Sequence, residues 1–275
     1  MSFSMGPALL FCPGDRPDRF AKAADRADAV ILDLEDAVAL DAKSAAREAV
    51  AESRLDPART IVRLNAAGTE HLTADLDALA RSSYRTVMLA KTESRDEIDL
   101  LGDLDIIALC ETAKGVVNAQ QIAAHDRVVA LMWGAEDLIA SMGGTSSRDE
   151  SGAYRAVAIH ARSRVLLAAA AADKAAIDAI CTDIADLVGC HAEADDAAAS
   201  GFWAKAAIHP AHSAPIRAAF APSDDLLDWA RRVLREAEGR GGVFPFEGRM
   251  VDEPVLTHAR SILARTGNGA ISPDQ

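Results

Sequence analysis

The chain has 275 residues, of which 50% are apolar and 26% charged, with 42 acidic against 29 basic side chains and a formal net charge of −13. Such a composition supports a large core and excludes wholesale disorder. The negative balance, with no clustering of the basic residues, argues against nucleic acid or anionic membranes as partners.

In chain order, strand-like runs fall at 8–12, 29–34, 60–64, 86–90, 105–110, 128–133, 176–181 and 204–208. Most are continuously apolar rather than alternating, as parallel strands covered on both faces require. Each precedes a helix-sized stretch, with helix starts near Pro17, Ala42, Glu70, Ser94, Ala113, Gly152, Ala192 and Pro210. Eight such units predict an α/β fold, a (β/α)8 TIM barrel over residues 8–221; a doubly wound open sheet is the alternative. A C-terminal helical extension is expected over 222–266. Its first helix spans 223–239, where Leu226, Leu227, Ala230, Val233 and Leu234 share a face. A break follows at 240–245, then a helix over 251–266 and a frayed tail at 267–275.

Cys12, Cys110, Cys181 and Cys190 lie too far apart for a zinc or redox motif. Reduced thiols and a cytoplasmic location are therefore expected. Residues 1–7 lack the charged and apolar regions of a signal peptide. The longest apolar run, 165–172, is too short to span a bilayer.

In a barrel, residues at strand C-termini converge on one mouth, which would gather Glu35, Asp36, Arg63, Lys91, Glu111, Glu136 and Asp137. So many acids in a dry cleft raise one another's pKa, and a divalent cation is the usual remedy. Oxygen donors without nearby His or Cys favour Mg²⁺, with Mn²⁺ as the substitute. The plainer reading is that these acids cap the helices that follow. Arg63, inside an apolar strand, needs an anion: either Glu35 or Asp36 as an ion pair, or a substrate carbonyl or carboxylate. Phe11, Arg16 and Lys22 flank a Pro-Gly turn and a helix start, a setting that suits phosphate and equally an ordinary turn. The stretch 143–148 matches no phosphate loop and reads as a mobile loop over the mouth. His209 ends the eighth strand, where ligand contact and a structural cap both fit. Asp252 reads as the N-cap of the last helix.

Together these segments resemble the citrate lyase β-subunit-like branch of the HpcH/HpaI aldolase superfamily, over residues 8–265. The resemblance rests on seven motifs in order: Phe11 to Pro17, Leu32 to Asp36, Val62 to Asn65, Glu111 with Thr112 and Gly115, Trp133 to Leu138, Ile208 to Pro210, and Gly248, Met250 to Asp252 and Pro254. It implies a Mg²⁺-dependent lyase that cleaves a 3-hydroxyacyl-CoA thioester to an acyl-CoA and an oxoacid. Glu111 and Asp137 would hold the metal, and Glu35 and Asp36 would orient ligands or waters. Arg63 would bind the thioester carbonyl, and Phe11, Arg16 and Lys22 would meet the CoA nucleotide end. Backbone N–H groups near Glu136 and Asp137 would grip the oxoacid carboxylate, and His209 would belong to the ligand-binding set. Asp252 would act as acid/base in the site of a neighbouring subunit of a homotrimer. Citramalyl-CoA or 3-hydroxy-3-methylglutaryl-CoA is favoured over malyl-CoA. Two other activities remain open: a citrate lyase β-subunit served by an acyl carrier protein, and a malyl-CoA-type thioesterase. The chain departs from the family pattern at Trp203, where a small acidic residue is usual, which affects either the CoA entrance or packing.

Overall fold

The computed structural model describes residues 3–240 and 242–265. The element order is β1 (Ala8–Pro13), α1 (Phe20–Arg26), β2 (Ala29–Asp33), α2 (Lys43–Glu52), β3 (Thr60–Leu64), α3 (His71–Ala80), β4 (Thr86–Leu89), α4 (Arg95–Asp99) and β5 (Asp105–Cys110). There follow α5 (Ala113–Ala123), β6 (Val128–Trp133), α6 (Ala135–Ser141), α7 (Ala156–Ala171), β7 (Ala175–Asp178), α8 (Leu187–Ser200), β8 (Ala204–Ala207) and α9 (Ser213–Phe220). The chain continues with α10 (Asp224–Ala237), β9 (Phe244–Phe246), β10 (Arg249–Val251) and α11 (Glu253–Ala264).

Strands β1 to β8 pair in sequence order, all in parallel, and β8 returns to β1 with Leu9 opposite Ala206. Closure decides for the barrel and against the open sheet. Strand alternation divides the apolar residues into two cores. Leu9, Ile31, Ile61, Met88, Ile107 and Ile177 form a cluster that fills the barrel interior. Their neighbours Leu10, Leu32, Val62, Val87, Ile106 and Ala176 belong to a second cluster, shared with the helices. The same parity sends Phe11, Asp33, Arg63 and Glu111 inward at the C-terminal ends of their strands, and Trp133, Asp178 and Lys205 outward beneath the helices.

Three local expectations are corrected. β7 ends at Asp178 instead of running to 181, because Asp178 points outward into an ion cluster with α7 and α8 and the chain then leaves the sheet. α8 begins at Leu187, five residues earlier than expected, since the Asp186 carboxylate caps it by accepting a hydrogen bond from the Gly189 N–H at 2.8 Å. After β6 the short α6 forms at once, and the next long helix begins at Ala156 rather than near 152.

In the extension, the expected break at 240–245 leads into a hairpin of β9 and β10. Its two-residue turn is Glu247-Gly248, both at positive φ (48° and 76°), which matches the twist of the flanking strands. Ala230, Val233, Phe244, Val251, Leu256 and Ala259 give this region a core of its own. Arg265 ties it to the barrel by donating to the Ala198 carbonyl at 2.8 Å. An apolar groove of about 780 Å³, lined by Leu226, Trp229, Met250, Pro254, Val255 and His258 among others, opens on its surface. The expected tail, 267–275, lies outside the described residues. All four cysteines are free and buried. Among the described residues no helix is long and apolar enough to cross a membrane.

Candidate active site

The site begins at neighbouring positions of β2 and β3, where Asp33 pairs in register with Arg63. Arg63 grips Asp33 with two parallel bonds, Nε to Oδ1 at 2.7 Å and Nη2 to Oδ2 at 2.5 Å, and reaches Glu35 Oε2 with Nη1 at 3.1 Å. The expected partner was Glu35 or Asp36. Glu35 is the second partner, Asp36 is not one, and the fork belongs to Asp33, a residue that sequence reasoning missed. Parity was the available signal: Asp33 and Arg63 both follow inward residues by two positions. Asp33 also accepts the N–H groups of Glu35 at 2.8 Å and Ala37 at 3.2 Å, so it fixes the turn that carries the next two acids. The guanidinium lies 4.9 Å from the centre of the Phe11 ring, which supports it from β1. Burial works to discharge Arg63, but its bonds to Asp33 outweigh that and hold it protonated.

Lys91, at the turn after β4, is the second cation of the mouth. Its Nζ hydrogen-bonds Glu35 and, at 2.9 Å, Asp36, and lies 3.7 Å from Asp137 Oδ1. Burial works against its charge, and the bonds to Glu35 and Asp36 hold it protonated well above the ordinary lysine range. Burial pushes the Glu35 carboxyl up against the pull of Arg63 and Lys91. Asp36 is less buried; burial again works upward, but its bond to Lys91 prevails and holds it below the usual carboxylate range.

Glu111 ends the inward face of β5 and is 3% exposed. Among the described residues it takes one hydrogen bond, from the Lys91 backbone N–H to Oε1 at 3.1 Å. Burial first, and then the charge of Asp137, push its carboxyl up to about 8 from the ordinary 4.5. Asp137 stands in the first turn of α6, directly after β6. Gly134 packs directly against Glu111: a Cβ there would fall 2.8 Å from Glu111 Oε2, so a larger residue would push the carboxylate aside. The mouth thus gathers five acids, Asp33, Glu35, Asp36, Glu111 and Asp137, around two bases, Arg63 and Lys91. The bases satisfy the three acids of β2 and its turn. Glu111 and Asp137, which repel each other electrostatically, carry the remaining negative charge, and Lys91 also reaches Asp137, at 3.7 Å.

That pair fits a divalent cation. Two carboxylates with no nitrogen or sulfur donor beside them suit Mg²⁺, which binds through one or two carboxylates and leaves the other positions to water and substrate oxygens. Among the described residues no three His, Cys, Asp or Glu side chains form a ready-made cage, so a cation here keeps open positions.

The remaining expected residues are not brought into this cluster. Arg16 is held by Asp18, with Nε to Oδ1 at 3.0 Å and Nη2 to Oδ2 at 2.8 Å, at the surface. Lys22 is exposed on α1. The Glu136 carboxylate accepts a hydrogen bond from Ser147 Oγ at 2.6 Å. His209 Nδ1 accepts the Ala211 N–H at 3.2 Å, which is the structural cap that position allowed. Asp252 caps α11 by accepting from Val255 N–H at 3.3 Å, within the extension. At the C-terminal end of the loop 143–148, Ser147 is buried against Glu136, and Arg148 pairs with Glu193 at 2.6 Å and lies 3.7 Å from the centre of the Tyr154 ring, while 143–146 are exposed. Trp203 precedes β8, at the end of the barrel opposite the mouth, and its Nε1–H donates to the Met5 carbonyl at 3.0 Å. Its role is therefore in packing the barrel floor.

A closed (β/α)8 barrel with an acid-rich, cation-seeking mouth defines a class of metal-assisted barrel enzymes. The family model described as HpcH/HpaI aldolase/citrate lyase matches residues 8–210. The chain belongs to that family, which makes it an enzyme of the lyase class. It is 55% identical over 262 residues to the citrate lyase subunit beta-like protein of Mycobacterium tuberculosis, covering 95% of this chain and 96% of that one. It is 33% identical over 272 residues to a (3S)-malyl-CoA thioesterase of Cereibacter sphaeroides, covering 94% and 93%. The crystal structure of CitE from Mycobacterium tuberculosis in complex with magnesium, acetoacetate and coenzyme A matches with a TM-score of 0.91 at 55% identity, covering 96% of this chain and 99% of that one.

Proposed function

We propose that the chain is a Mg²⁺-dependent β-hydroxyacyl-CoA lyase, which cleaves the C2–C3 bond of a 3-hydroxyacyl-CoA to an acyl-CoA and a 2- or 3-oxoacid. The observation that carries this reading is Glu111: a buried carboxyl pushed up to about 8 by its surroundings and by Asp137, within reach of the charge of Arg63. Mg²⁺ or Mn²⁺ held by Glu111 and Asp137 supplies Lewis acidity to the substrate's hydroxyl and carboxylate oxygens. Bond cleavage breaks the substrate's O–H and C2–C3 bonds: the hydroxyl proton passes to solvent water, the hydroxyl carbon becomes the oxoacid carbonyl, and the departing fragment is left as a thioester enolate. Arg63, its orientation locked by Asp33 and Glu35, hydrogen-bonds the thioester oxygen as that charge develops, an interaction of a kind worth about 3–4 kcal/mol. Asp33 leaves the third guanidinium nitrogen to Glu35 and to incoming substrate. Glu35 and Asp36, tied to Lys91, shape the wall beside the metal.

The enolate carbon then takes a proton from Asp252 of a neighbouring subunit. An extension with its own core and an open apolar groove supports such packing in a homotrimer. Phe11, expected at the CoA nucleotide end, lies with its ring 4.9 Å from the Arg63 guanidinium, and in this reading it lines the thioester end instead. Arg16, Lys22 and His209 would face the CoA nucleotide, with Arg16 exchanging Asp18 for a phosphate. The first-turn N–H groups beside Glu136 would receive the oxoacid carboxylate. A branched substrate of the citramalyl-CoA or 3-hydroxy-3-methylglutaryl-CoA type is favoured, and acetoacetate in the related CitE structure supports a 3-oxoacid product. The enzyme is proposed to work in the cytoplasm.

A panel of hydroxyacyl-CoA thioesters incubated with Mg²⁺ tests this: release of an oxoacid and an acyl-CoA is expected. The thioesterase among the relatives favours a second reading, hydrolysis at the same site. Free hydroxyacid and CoA thiol without oxoacid would establish it. Cleavage of citryl-acyl carrier protein but of no CoA thioester would instead mark a citrate lyase subunit, as in the name of the 55% relative.

A further inference from the structure

Lys43, the first residue of α2, is 6% exposed and directs its Nζ at three oxygens: the Leu34 carbonyl at 2.8 Å, the Glu35 carbonyl at 3.0 Å and Asn65 Oδ1 at 2.8 Å. Three acceptors leave no direction for the lone pair of a neutral amine, so the group is an ammonium. Burial lowers its pKa, against the charges of Asp75, Asp33 and Glu35. Burying that charge is costly, and the two carbonyls do not need it to be satisfied. The Leu34 carbonyl also accepts Asn65 Nδ2 at 2.8 Å, and the Glu35 carbonyl accepts the Val38 N–H at 3.1 Å. Lys43 adds a second bond to each.

The added bonds hold one residue from behind. On the mouth side Asp33 accepts the Glu35 N–H at 2.8 Å, and on the outer side Lys43 donates to the Glu35 carbonyl. With its main chain fixed at both ends, Glu35 presents its carboxylate to Arg63 Nη1 at 3.1 Å and to Lys91. Asn65 carries the network outward: its Nδ2 and N–H donate to Asp75 Oδ2 at 2.6 and 2.9 Å, and Arg47 Nε donates to Asp75 Oδ1 at 2.7 Å. Resting on the reading of Arg63 as the enolate donor, we infer that Lys43 is a positioning residue, which sets where the Glu35 carboxylate lies and, through Glu35, how the Arg63 guanidinium is oriented. Its ammonium is taken up by its three acceptors and touches no reacting atom.

A double-mutant cycle on Lys43→Met and Glu35→Ala tests the inference, with Arg47→Met as the control that weakens the same network beyond Asn65. The readouts are kcat, Mg²⁺ affinity by calorimetry, and the Arg63 side-chain Nε–H resonance in isotope-labelled protein, assigned by its loss in Arg63→Ala. Lys43→Met should lower kcat about 10- to 100-fold, the scale on which a small misplacement is felt. It should leave Mg²⁺ affinity unchanged and move the Arg63 resonance in the direction that Glu35→Ala moves it. Added to Glu35→Ala, it should change kcat by less than about twofold, because no carboxylate remains to be placed. Arg47→Met should lose thermal stability and keep both kcat and the resonance. Wild-type kcat in Lys43→Met, an unmoved Arg63 resonance, or the full loss of kcat repeated in the Glu35→Ala background overturns the inference. If Glu35→Ala turns over too slowly to measure, the resonance decides alone; if Lys43→Met does not fold, Lys43→Gln is read in the same way. A wild type that releases no oxoacid from any thioester overturns the proposed function instead, and the inference falls with it.

Discussion

Two buried charge clusters lie one residue apart in strand parity, and they are built on opposite terms. On the outer flank, Asp178 accepts Trp133 Nε1–H at 2.7 Å, Arg162 Nε at 2.9 Å and Lys205 Nζ at 3.1 Å. Glu193 and Asp196 complete the acids, facing Lys205, Arg162 and Arg148, so three acids meet three bases. Burial works to raise Asp178, yet Lys205 and Arg162 prevail and hold it below the usual range. At the mouth, Glu111 is as deeply buried and is pushed the other way, to about 8. Equal burial with opposite shifts separates a cluster balanced in charge, which fastens α7 and α8 to the barrel, from one in which five acids face two bases. The excess charge marks the site; burial alone does not.

The largest expected effect lies in the mouth cluster, at Arg63. Arg63→Ala removes the enolate donor and also leaves Asp33, fully buried, without its fork. Turnover should fall by about 10²–10³, and stability by roughly 3–5 kcal/mol, the cost of leaving one member of a buried pair alone. Urea unfolding and single-turnover kinetics separate the two losses. Near-normal turnover in the folded fraction would remove Arg63 from the chemistry.

Asp178→Ala should break the flank and spare the mouth. Lys205, 1% exposed, would lose its close partner, again at roughly 3–5 kcal/mol. Turnover per folded molecule and Mg²⁺ affinity should stay at wild-type values. A selective loss of Mg²⁺ affinity would mean that the two clusters are coupled and the contrast drawn between them is wrong.

Glu111→Gln sharpens the contrast from the other side. Metal affinity should fall at least tenfold by calorimetry, while the metal-free protein becomes no less stable. The pH dependence follows from the sign of the shift. A carboxyl raised from 4.5 to about 8 in the folded state binds its proton more tightly there than in the unfolded chain. Its contribution to stability is therefore fully present below pH 4.5 and is lost as pH rises towards 8. Metal-free wild type should weaken across that window, Mg²⁺ should reverse the loss at its upper end, and Glu111→Gln should flatten that part of the profile. An unchanged profile in the variant would assign the slope to another group.

How much of this could be read from the chain depends on what a linear pattern records. Continuous apolar runs gave all eight strands, and acids just past strand ends gave Glu35, Asp36, Glu111 and Asp137, because position at a strand end translates directly into position in the mouth. Asp33, one residue inside its strand, escaped notice: nothing in its local sequence says that a neighbouring strand offers Arg63 at the same level. Asp178, Lys205 and Trp133 were hidden for the same reason, since outward parity matters only once α7 and α8 are seen above them. The hairpin of β9 and β10 turns on Glu247-Gly248, which lacks the usual Asn-Gly signal. Arg16 and Lys22 illustrate the limit of motif reading, for a basic residue near a helix start is drawn as readily to its own neighbour Asp18 as to a phosphate.

Asp252 extends the comparison to a third region, where the expected effect on stability is smallest. In the extension its carboxylate caps α11, and within one chain that is a complete structural account of the residue. Asparagine caps a helix about as well as aspartate, whereas alanine costs roughly 1 kcal/mol. Asp252→Asn should therefore keep wild-type thermal stability, and Asp252→Ala should lose a few degrees. If Asp252 also delivers a proton across a subunit boundary, both variants should lose turnover alike, because asparagine preserves the cap and not the acid. Mixing Asp252→Asn with Glu111→Gln subunits should then restore part of the activity, since some interfaces would pair an intact metal pair with an intact acid. Full turnover in Asp252→Asn, or no recovery after verified subunit exchange, would return Asp252 to the class of residues whose work is finished by folding, beside Asp178 rather than beside Glu111.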